Sequence, residues 1–163
     1  MTAPFQVRKF FLLFIEIRKT EQSLLLKNKI MKQVNPYLNF DGNTEVAFNF
    51  YKSVFGGSFN DATFVRMKDM PQNGEHQLTN EELNRIMHVS LPLDNGQVLM
   101  GSDILPSMGQ KLQVGNNNQI SIFTESREEA DRLFSGLSQG GKVEMPMSDQ
   151  FWGDYFGSCE DKF

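Results

Sequence analysis

Cysteine is almost absent from this sequence. A single residue, Cys159, is present among 163. One cysteine cannot form a disulfide within the chain, and chains without disulfides are typical of a reducing compartment. The composition therefore predicts a cytoplasmic protein, and the lone cysteine by itself gives no reason to assign it a catalytic role.

Long apolar runs and an excess of basic residues are also missing. The most apolar run, residues 10–15, has six residues, whereas a membrane-spanning helix needs about 20. The run is also too short for a secretory signal and lacks a small-residue cleavage site. The formal net charge of −4 gives no reason to expect an anionic partner. We therefore expect neither a membrane nor a nucleic acid as partner.

Histidine is scarce as well. The chain has two, His76 and His88, so one chain cannot build a site from three histidines. No Ser-His-Asp set, phosphate-cradling glycine loop or zinc-finger spacing is present. A glycine-rich turn between a strand and a long helix, which nucleotide-type cofactors need, does not occur either.

The first thirty residues differ from the rest. They contain no glycine and carry six basic residues against two acidic ones. Their apolar residues predict a helix from about Phe5 to Leu26. An ordinary protein start follows at Met31, so we interpret residues 1–30 as an extension upstream of the natural start and residues 31–163 as the domain. The alternative is a true N-terminal helix that packs on the domain or on a partner.

From Val34 onward, hydrophobic periodicity and turn residues predict a regular series of strands and helices. Predicted strands are Val34–Phe40, Ser58–Met67, Ile86–Pro92, Gln97–Asp103, Gln119–Thr124 and Lys142–Met147, followed by a closing segment from Gln150. One helix follows Asn43 or Thr44 and ends at Gly56-Gly57, and a second follows Ser126 and ends at Gly140-Gly141. A polar loop covers 69–80, with a short helical turn at its end, and a second loop covers 104–118.

The two halves of this series match at a constant offset of 83 positions. The matched pairs are Phe40 with Phe123, Asn43 with Ser126, Ala47 with Ala130, Phe50 with Leu133, Tyr51 with Phe134, Val54 with Leu137 and Gly57 with Gly140. Seven coincidences across a strand, a cap, a helix and its end indicate an internal repeat. The sequence predicts an α+β domain of two βαβββ units, residues 33–103 and 118–163, of which the second lacks its last strand.

Five stretches carry a resemblance to a known family. They are Asn35-Pro36-Tyr37-Leu38-Asn39-Phe40, Ala47-Phe48-Asn49-Phe50-Tyr51, His88, Leu99-Met100-Gly101-Ser102-Asp103, and Trp152-Gly153-Asp154-Tyr155-Phe156-Gly157 with Asp161-Lys162-Phe163. With the tandem repeat, they resemble the PhnB-like branch of the vicinal oxygen chelate (glyoxalase-like) superfamily, also labelled a 3-demethylubiquinone 3-methyltransferase-type domain. The resemblance covers roughly residues 33–163.

The resemblance implies two curved mixed sheets around a cavity between the repeats, usually completed in a homodimer. It also implies one more apolar strand after the position of Phe163, so we expect either an incomplete chain or another element, such as the N-terminal segment, in that place. Metal-using members hold one divalent ion with four His, Glu or Gln ligands. Aligned here, these positions fall near Asn35, near Met100 or Gly101, on Gln119 and beyond Phe163, so the ligand set is mostly absent.

His88 is the candidate catalytic residue and, with Gln119, a candidate metal ligand. It lies mid-strand, with Ile86 and Ser90 predicted on its face. The functional interpretation is an acid/base group lining the cavity or an isolated metal ligand, with Ser102 or Asp103 as partner. The alternative is a partly buried histidine that is hydrogen-bonded within the sheet.

Trp152 and Phe156 complete the predicted ligand-binding set of Ser102, Asp103 and Gln119. At i and i+4 of a strand they share a face and could stack on a flat or apolar substrate. Core packing is the alternative.

Two functions remain open from the sequence. The first is a PhnB-like protein that binds a small molecule in the cavity and carries out metal-assisted lyase, isomerase or dioxygenase-type chemistry. The second is a non-catalytic dimer that binds or sequesters the small molecule.

Overall fold

The computed structural model of the chain describes residues 10–14, 33–60, 62–71 and 78–163, the first of these ranges as backbone. The strands are β1 (Phe10–Phe14), β2 (Tyr37–Phe40), β3 (Phe64–Arg66), β4 (Ile86–Pro92), β5 (Val98–Asp103), β6 (Gln119–Phe123), β7 (Lys142–Asp149) and β8 (Tyr155–Glu160). The helices are α1 (Thr44–Phe55), α2 (Asn80–Asn84) and α3 (Arg127–Ser138). The predicted α+β class and glyoxalase-like fold are confirmed.

The described residues divide into two compact units. The first unit comprises residues 33–113, and the second comprises β1 with residues 114–163. Each unit contains one four-stranded sheet and one 12-residue helix.

In the first unit the strand order is β2, β5, β4, β3. β2 runs parallel to β5, and the other neighbours are antiparallel. Helix α1 covers one face of this sheet at such close range that a Cβ on Gly101 would lie 2.6 Å from the Phe48 ring. The fully buried apolar residues of this unit include Ala47, Phe48, Tyr51, Val89 and Leu91. Alternate residues of β4 and β5 therefore form the core under α1.

Both ends of α1 lie where the sequence predicts them, but the group that caps the N-terminus differs. Gly56 follows the last helical residue with a φ of 84°, a backbone conformation that glycine adopts readily. Asn43 is the N-cap residue, but its side chain makes no capping hydrogen bond. The N-terminus is capped by the carboxylate of Asp103 instead, as described below.

Helix α2 is short, and a capping box fixes its start. The Thr79 hydroxyl accepts from the Glu82 amide at 3.1 Å, and the Glu82 carboxylate accepts from the Thr79 amide at 3.0 Å. The same carboxylate accepts from the Ser107 amide at 2.8 Å and so ties the loop after β5 to α2. Hydrogen bonds from Thr79 and Ser107 lower the pKa of Glu82 to about 2.

In the second unit the strand order is β6, β1, β8, β7. β1 runs parallel to β6 and antiparallel to β8, and β7 is antiparallel to β8. Helix α3 begins after Ser126, whose hydroxyl accepts from the Glu129 amide at 3.2 Å. Ala130, Leu133 and Leu137 form its buried face.

The N-terminal helix prediction is wrong where it can be compared. Phe10–Phe14 is a strand, because the run pairs with strands on both sides. The remainder of the predicted range lies outside the described residues. The predicted Ser58–Met67 strand shrinks to Phe64–Arg66 because a short 3-10 turn follows it and the Asn60 side chain holds a turn before it.

The repeat holds for the backbone but not for every side chain. Helices α1 and α3 begin and end at positions that differ by 83. Phe40 is 2% exposed, whereas its predicted match Phe123 is 58% exposed. In β6 the half-buried residues are Ile120 and Ile122, so the apolar face of this strand is shifted by one position.

Among the residues that the structure describes, no helix has both the length and the hydrophobicity needed to cross a bilayer.

Candidate functional site

A row of polar side chains lies on the sheet of the first unit, on the face away from α1. Val89, Leu91, Leu99 and Gly101 are buried towards α1, so the residues between them point to the opposite face. We call this surface the polar face; it consists of Tyr37, Asn39, His88, Ser90 and Ser102. Each of these side chains is half-buried or exposed.

His88 is the centre of the polar face. Its Nδ1 lies 3.3 Å from the Tyr37 hydroxyl, and its Nε2 lies 2.7 Å from the Ser90 hydroxyl. The rings of Tyr37 and His88 lie 5.8 Å apart between centroids, tilted by 30°. Both imidazole nitrogens therefore have a hydroxyl partner, and the three side chains form a chain Tyr37–His88–Ser90.

Strand order brings these three residues together. β5 lies between β2 and β4, and its residue Met100 is paired with Tyr37 on one side and with Ser90 on the other. His88 lies two positions before Ser90 on the same face of β4. The site is therefore built from segments about fifty residues apart in the sequence.

The two hydroxyls, of Tyr37 and Ser90, determine which protonation states of His88 keep both hydrogen bonds. A hydroxyl can donate or accept a hydrogen bond, so His88 can hold its proton on either nitrogen, or on both, without losing a partner. The arrangement can bind a polar group and can pass a proton between two oxygen atoms.

Ser102 and Asn39 extend the polar face along the sheet. The Ser102 hydroxyl donates to the Asn39 side-chain oxygen at 3.3 Å. Ser102 follows Gly101, which pairs with Val89, so it lies next to His88 in the neighbouring strand. Ser102 therefore lies beside His88, but its hydroxyl bonds Asn39, whereas the hydroxyls that contact His88 are those of Tyr37 and Ser90.

Asp103 lies on the opposite face and has a different role. One of its carboxylate oxygens accepts from the Gly42 amide at 2.9 Å, the Thr44 amide at 3.1 Å and the Thr44 hydroxyl at 2.6 Å. The other accepts from the Ile86 amide at 2.8 Å. This buried carboxylate caps α1 and joins it to β4, so it is not the partner of His88.

Ile86 also differs from its predicted position. It is 1% exposed and does not share the accessible face of His88. The pairing of β3 with β4 is irregular between Val65 and Arg66, opposite this end of β4. The local irregularity separates Ile86 from the simple alternation that the sequence predicts.

Trp152 and Phe156 meet in the second unit. Their ring centroids are 6.1 Å apart, and Phe151 packs on Trp152 at 4.8 Å. Trp152 lies in the turn before β8 and is 47% exposed, whereas Phe156 lies within β8 and is buried. The two residues are in contact, although they do not share one strand as predicted.

The sequence did not predict an ionic cluster around Tyr155, the residue before Phe156. Arg127 of α3 makes a two-fold hydrogen bond to Asp149 and lies 4.5 Å from the centre of the Tyr155 ring. The Tyr155 hydroxyl donates to Asp131 at 2.7 Å, and this bond raises the pKa of Tyr155. The bond from Arg127 lowers the pKa of Asp149. These exposed groups fix the start of β8 against α3.

The residues present do not fit the metal centre that the resemblance implies. Gln119 lies exposed on β6. Both nitrogens of His88 already have hydroxyl partners. Within the described part of the chain, no three His, Cys, Asp or Glu side chains are grouped as a metal ion requires. We therefore derive no step through a metal.

Sequence reasoning missed Tyr37 as a site residue. The signal was present as alternation, because Tyr37 and Asn39 alternate along the strand with the apolar residues Leu38 and Phe40. The partner of this strand could not be read from alternation, because its parallel pairing with β5 joins residues 63 positions apart. His76, the other histidine, lies outside the described residues.

Comparison with solved structures identifies the class of fold. The chain is similar to the crystal structure of protein PA1353 from Pseudomonas aeruginosa, with a TM-score of 0.68 and 33% identity over 80% of this chain and 90% of that chain. It is also similar to the PhnB protein from Bacillus cereus, with a TM-score of 0.60 and 25% identity over 81% of this chain and 93% of that chain. These relatives have the glyoxalase-like fold.

Sequence comparison identifies the family. The profile of the 3-demethylubiquinone-9 3-methyltransferase family matches residues 32–163. Protein YjdN from Escherichia coli (strain K12) is 27% identical over 136 residues, which are 80% of this chain and 88% of that protein. The chain belongs to this family, the PhnB-like proteins, as its sequence motifs predicted.

Proposed function

We propose that this PhnB-like protein binds a small organic molecule on the polar face of the first unit. The observation that carries the proposal is the Tyr37–His88–Ser90 chain, in which a half-exposed imidazole is held between two hydroxyls. The ligand is expected to carry an oxygen or nitrogen group that replaces or joins one of these hydrogen bonds. The Tyr37 and His88 rings, and the Met100 side chain between them in the sheet, supply apolar surface for the rest of the molecule.

Proton transfer at His88 is the second candidate function. The hydroxyls on both imidazole nitrogens favour it, because they hold the ring in one orientation, and a general base must be positioned within hydrogen-bond reach of the proton that it takes. In this alternative, His88 takes a proton from the bound molecule and Tyr37 keeps the imidazole oriented. Metal-assisted chemistry is not part of the proposal, because the donor set does not fit it.

Methyl transfer, which the family description names, is not proposed either. A methyl donor of the nucleotide type is usually bound by a glycine-rich turn between a strand and a long helix. The sequence has no such turn.

A cytoplasmic homodimer is the proposed form of the protein. The buried, unpaired Cys159 supports a reducing compartment. Exposed apolar side chains on the second unit, among them Phe151 and Val143, support self-association. Sedimentation equilibrium of the full chain tests the dimer, and a monomer at micromolar concentration would contradict it.

The binding proposal is tested with a metabolite library and four variants. Compounds that raise the Tm of the unmodified chain are titrated by calorimetry into Tyr37→Phe, His88→Asn, Ser90→Ala and the control Ser138→Ala. Ser138 lies at the end of α3, outside the proposed site. We expect affinity to fall about tenfold or more in the first three variants, since each loses a hydrogen bond to the ligand or to His88. Equal affinity in all four variants would contradict the site.

A further inference from the structure

The two sheets share one strand order although the strands come from different places in the sequence. The orders are β2, β5, β4, β3 and β6, β1, β8, β7. In both sheets the second strand is parallel to the first and antiparallel to the third. In the first unit this strand is β5, which follows β4 directly. In the second unit it is β1, which precedes every other element of the fold.

β1 is the strand on which the second sheet depends. Within the part of the chain that the structure describes, β1 is the only strand neighbour of β6. β1 pairs with β6 from Phe10 to Phe14 and with β8 from Phe10 to Leu13. An extended segment placed between two strands is hydrogen-bonded along both edges. Without β1, β6 would have no neighbouring strand among the described residues, and one edge of β8 would be unpaired.

We propose that Phe10–Phe14 is an inserted strand that completes the second unit in cis. Strands β6 and β8 form a slot for an extended apolar segment, and the N-terminal segment of the same chain fills the place that β5 fills in the first unit. The segment therefore contributes a strand to the sheet of the second unit. A strand donated by a second copy of this chain is the alternative occupant, and the test below separates the two.

The single cysteine offers a direct test in the full chain. Cys159 of β8 is paired with Phe11 of β1. Cα atoms of antiparallel partners lie about 4.5–5.5 Å apart, which is within the range that a disulfide bridges. The variant Phe11→Cys is treated with diamide, which accepts the two hydrogen atoms released by the two thiols. The oxidant is needed because joining two thiols removes two electrons, and the pKa of Cys159, which burial raises to about 11, makes this thiol slow to react.

We expect Phe11→Cys to give a monomer with an internal disulfide between positions 11 and 159, located by peptide mapping. Leu12→Cys is the matched control, because the backbone register pairs Leu12 with Ser158 and not with Cys159. A disulfide-linked dimer in Phe11→Cys would overturn insertion in cis. Equal cross-linking in both variants, or none in Phe11→Cys, would overturn the inserted strand itself.

Amide hydrogen exchange of the unmodified chain gives a second measurement that needs no variant. The amides of Gln119–Phe123 that point towards β1 should exchange at least ~100-fold more slowly than in an unstructured chain. Exchange of all β6 amides at the unstructured rate would overturn the proposal, whatever the result of cross-linking.

Discussion

The first and second units have the same sheet order and the same length of main helix, but different side chains on the strand that is third in each sheet order, β4 and β8. In the first unit, β4 presents His88 and Ser90 to the polar face, where Tyr37 completes the hydrogen-bonded chain. In the second unit, β8 presents the buried ring of Phe156 against Trp152. The difference teaches that the repeat keeps the backbone geometry, while the histidine held between two hydroxyls belongs to the first unit.

The largest expected effect comes from the buried carboxylate that caps α1, whereas the matching helix α3 is capped by the hydroxyl of Ser126. Asp103→Ala leaves three backbone amides of Gly42, Thr44 and Ile86 without their buried acceptor. We expect the free energy of unfolding to fall by about 3 kcal/mol or more, measured by urea titration. The adjacent control Ser102→Ala should change it by less than about 0.5 kcal/mol. Similar small effects in both variants would remove the distinction between the two faces of β5.

Glycine at the helix–sheet contact gives the next largest effect. A Cβ at position 101 would lie 2.6 Å from the Phe48 ring and 2.7 Å from the Leu38 carbonyl oxygen. Gly101→Ala should therefore lower the free energy of unfolding by about 2 kcal/mol.

The matched variant in the second unit is Gly157→Ala. Its Cβ would lie 2.6 Å from the Met147 sulfur, at the end of a flexible side chain, and 3.0 Å from the nearest backbone atoms. Met147 can move, so the cost should be about 1 kcal/mol. If Gly157→Ala lost more free energy of unfolding than Gly101→Ala, the expectation that the first sheet tolerates an added Cβ less well than the second would be wrong.

Acid sensitivity of the first unit is expected to depend on Glu82. Its pKa is lowered from 4.5 to about 2, so its stabilising contribution is fully present above pH 4.5 and is lost as pH falls through about 2. Glu82→Gln should lower the Tm at pH 7, and the difference from the unmodified chain should shrink as pH falls from 4.5 to 2. The control is Glu81→Gln, an exposed residue of the same turn. A Tm difference that stays constant with pH would contradict this role.

The smallest effect is expected for the ionic cluster of the second unit. Tyr155→Phe removes the hydrogen bond to Asp131, and Arg127→Ala removes the contact with Asp149. Because these groups are exposed, each variant should lower the Tm by only about 1–2 °C. Differential scanning calorimetry checks the values, and a shift as large as that of Asp103→Ala would contradict the assignment of these contacts to the surface.

Local signals explain what could be predicted of the fold. The bounds of β4 match the prediction, because its residue pattern precedes a strong Asp94-Asn95-Gly96 turn. The start of α2 at Asn80 and the end of α1 at Gly56 also agree with the residues that cap or end helices. The family followed from motifs that lie in these well-defined elements.

Long-range pairing explains what could not be predicted. The strand β1 is defined by partners more than one hundred positions away, so its local sequence favoured a helix. The sequence predicted Asp103 as a partner of His88. Its true partners, the amides of Gly42 and Thr44, lie about sixty positions earlier, so no local pattern indicates them. Tyr37 joined the site only through the parallel alignment of β2 with β5.

Nuclear magnetic resonance during ligand titration tests the central comparison most directly, because the chain has one tryptophan and two histidines. The imidazole signals of His88 report on the polar face, and the indole signal of Trp152 reports on the aromatic contact of the second unit. Assignment uses the His88→Asn and Trp152→Phe variants. We predict that a bound metabolite shifts the His88 signals at the lowest concentrations and leaves the indole of Trp152 unchanged. Shifts of the Trp152 indole with unchanged His88 signals would contradict the placement of the binding chemistry in the first unit.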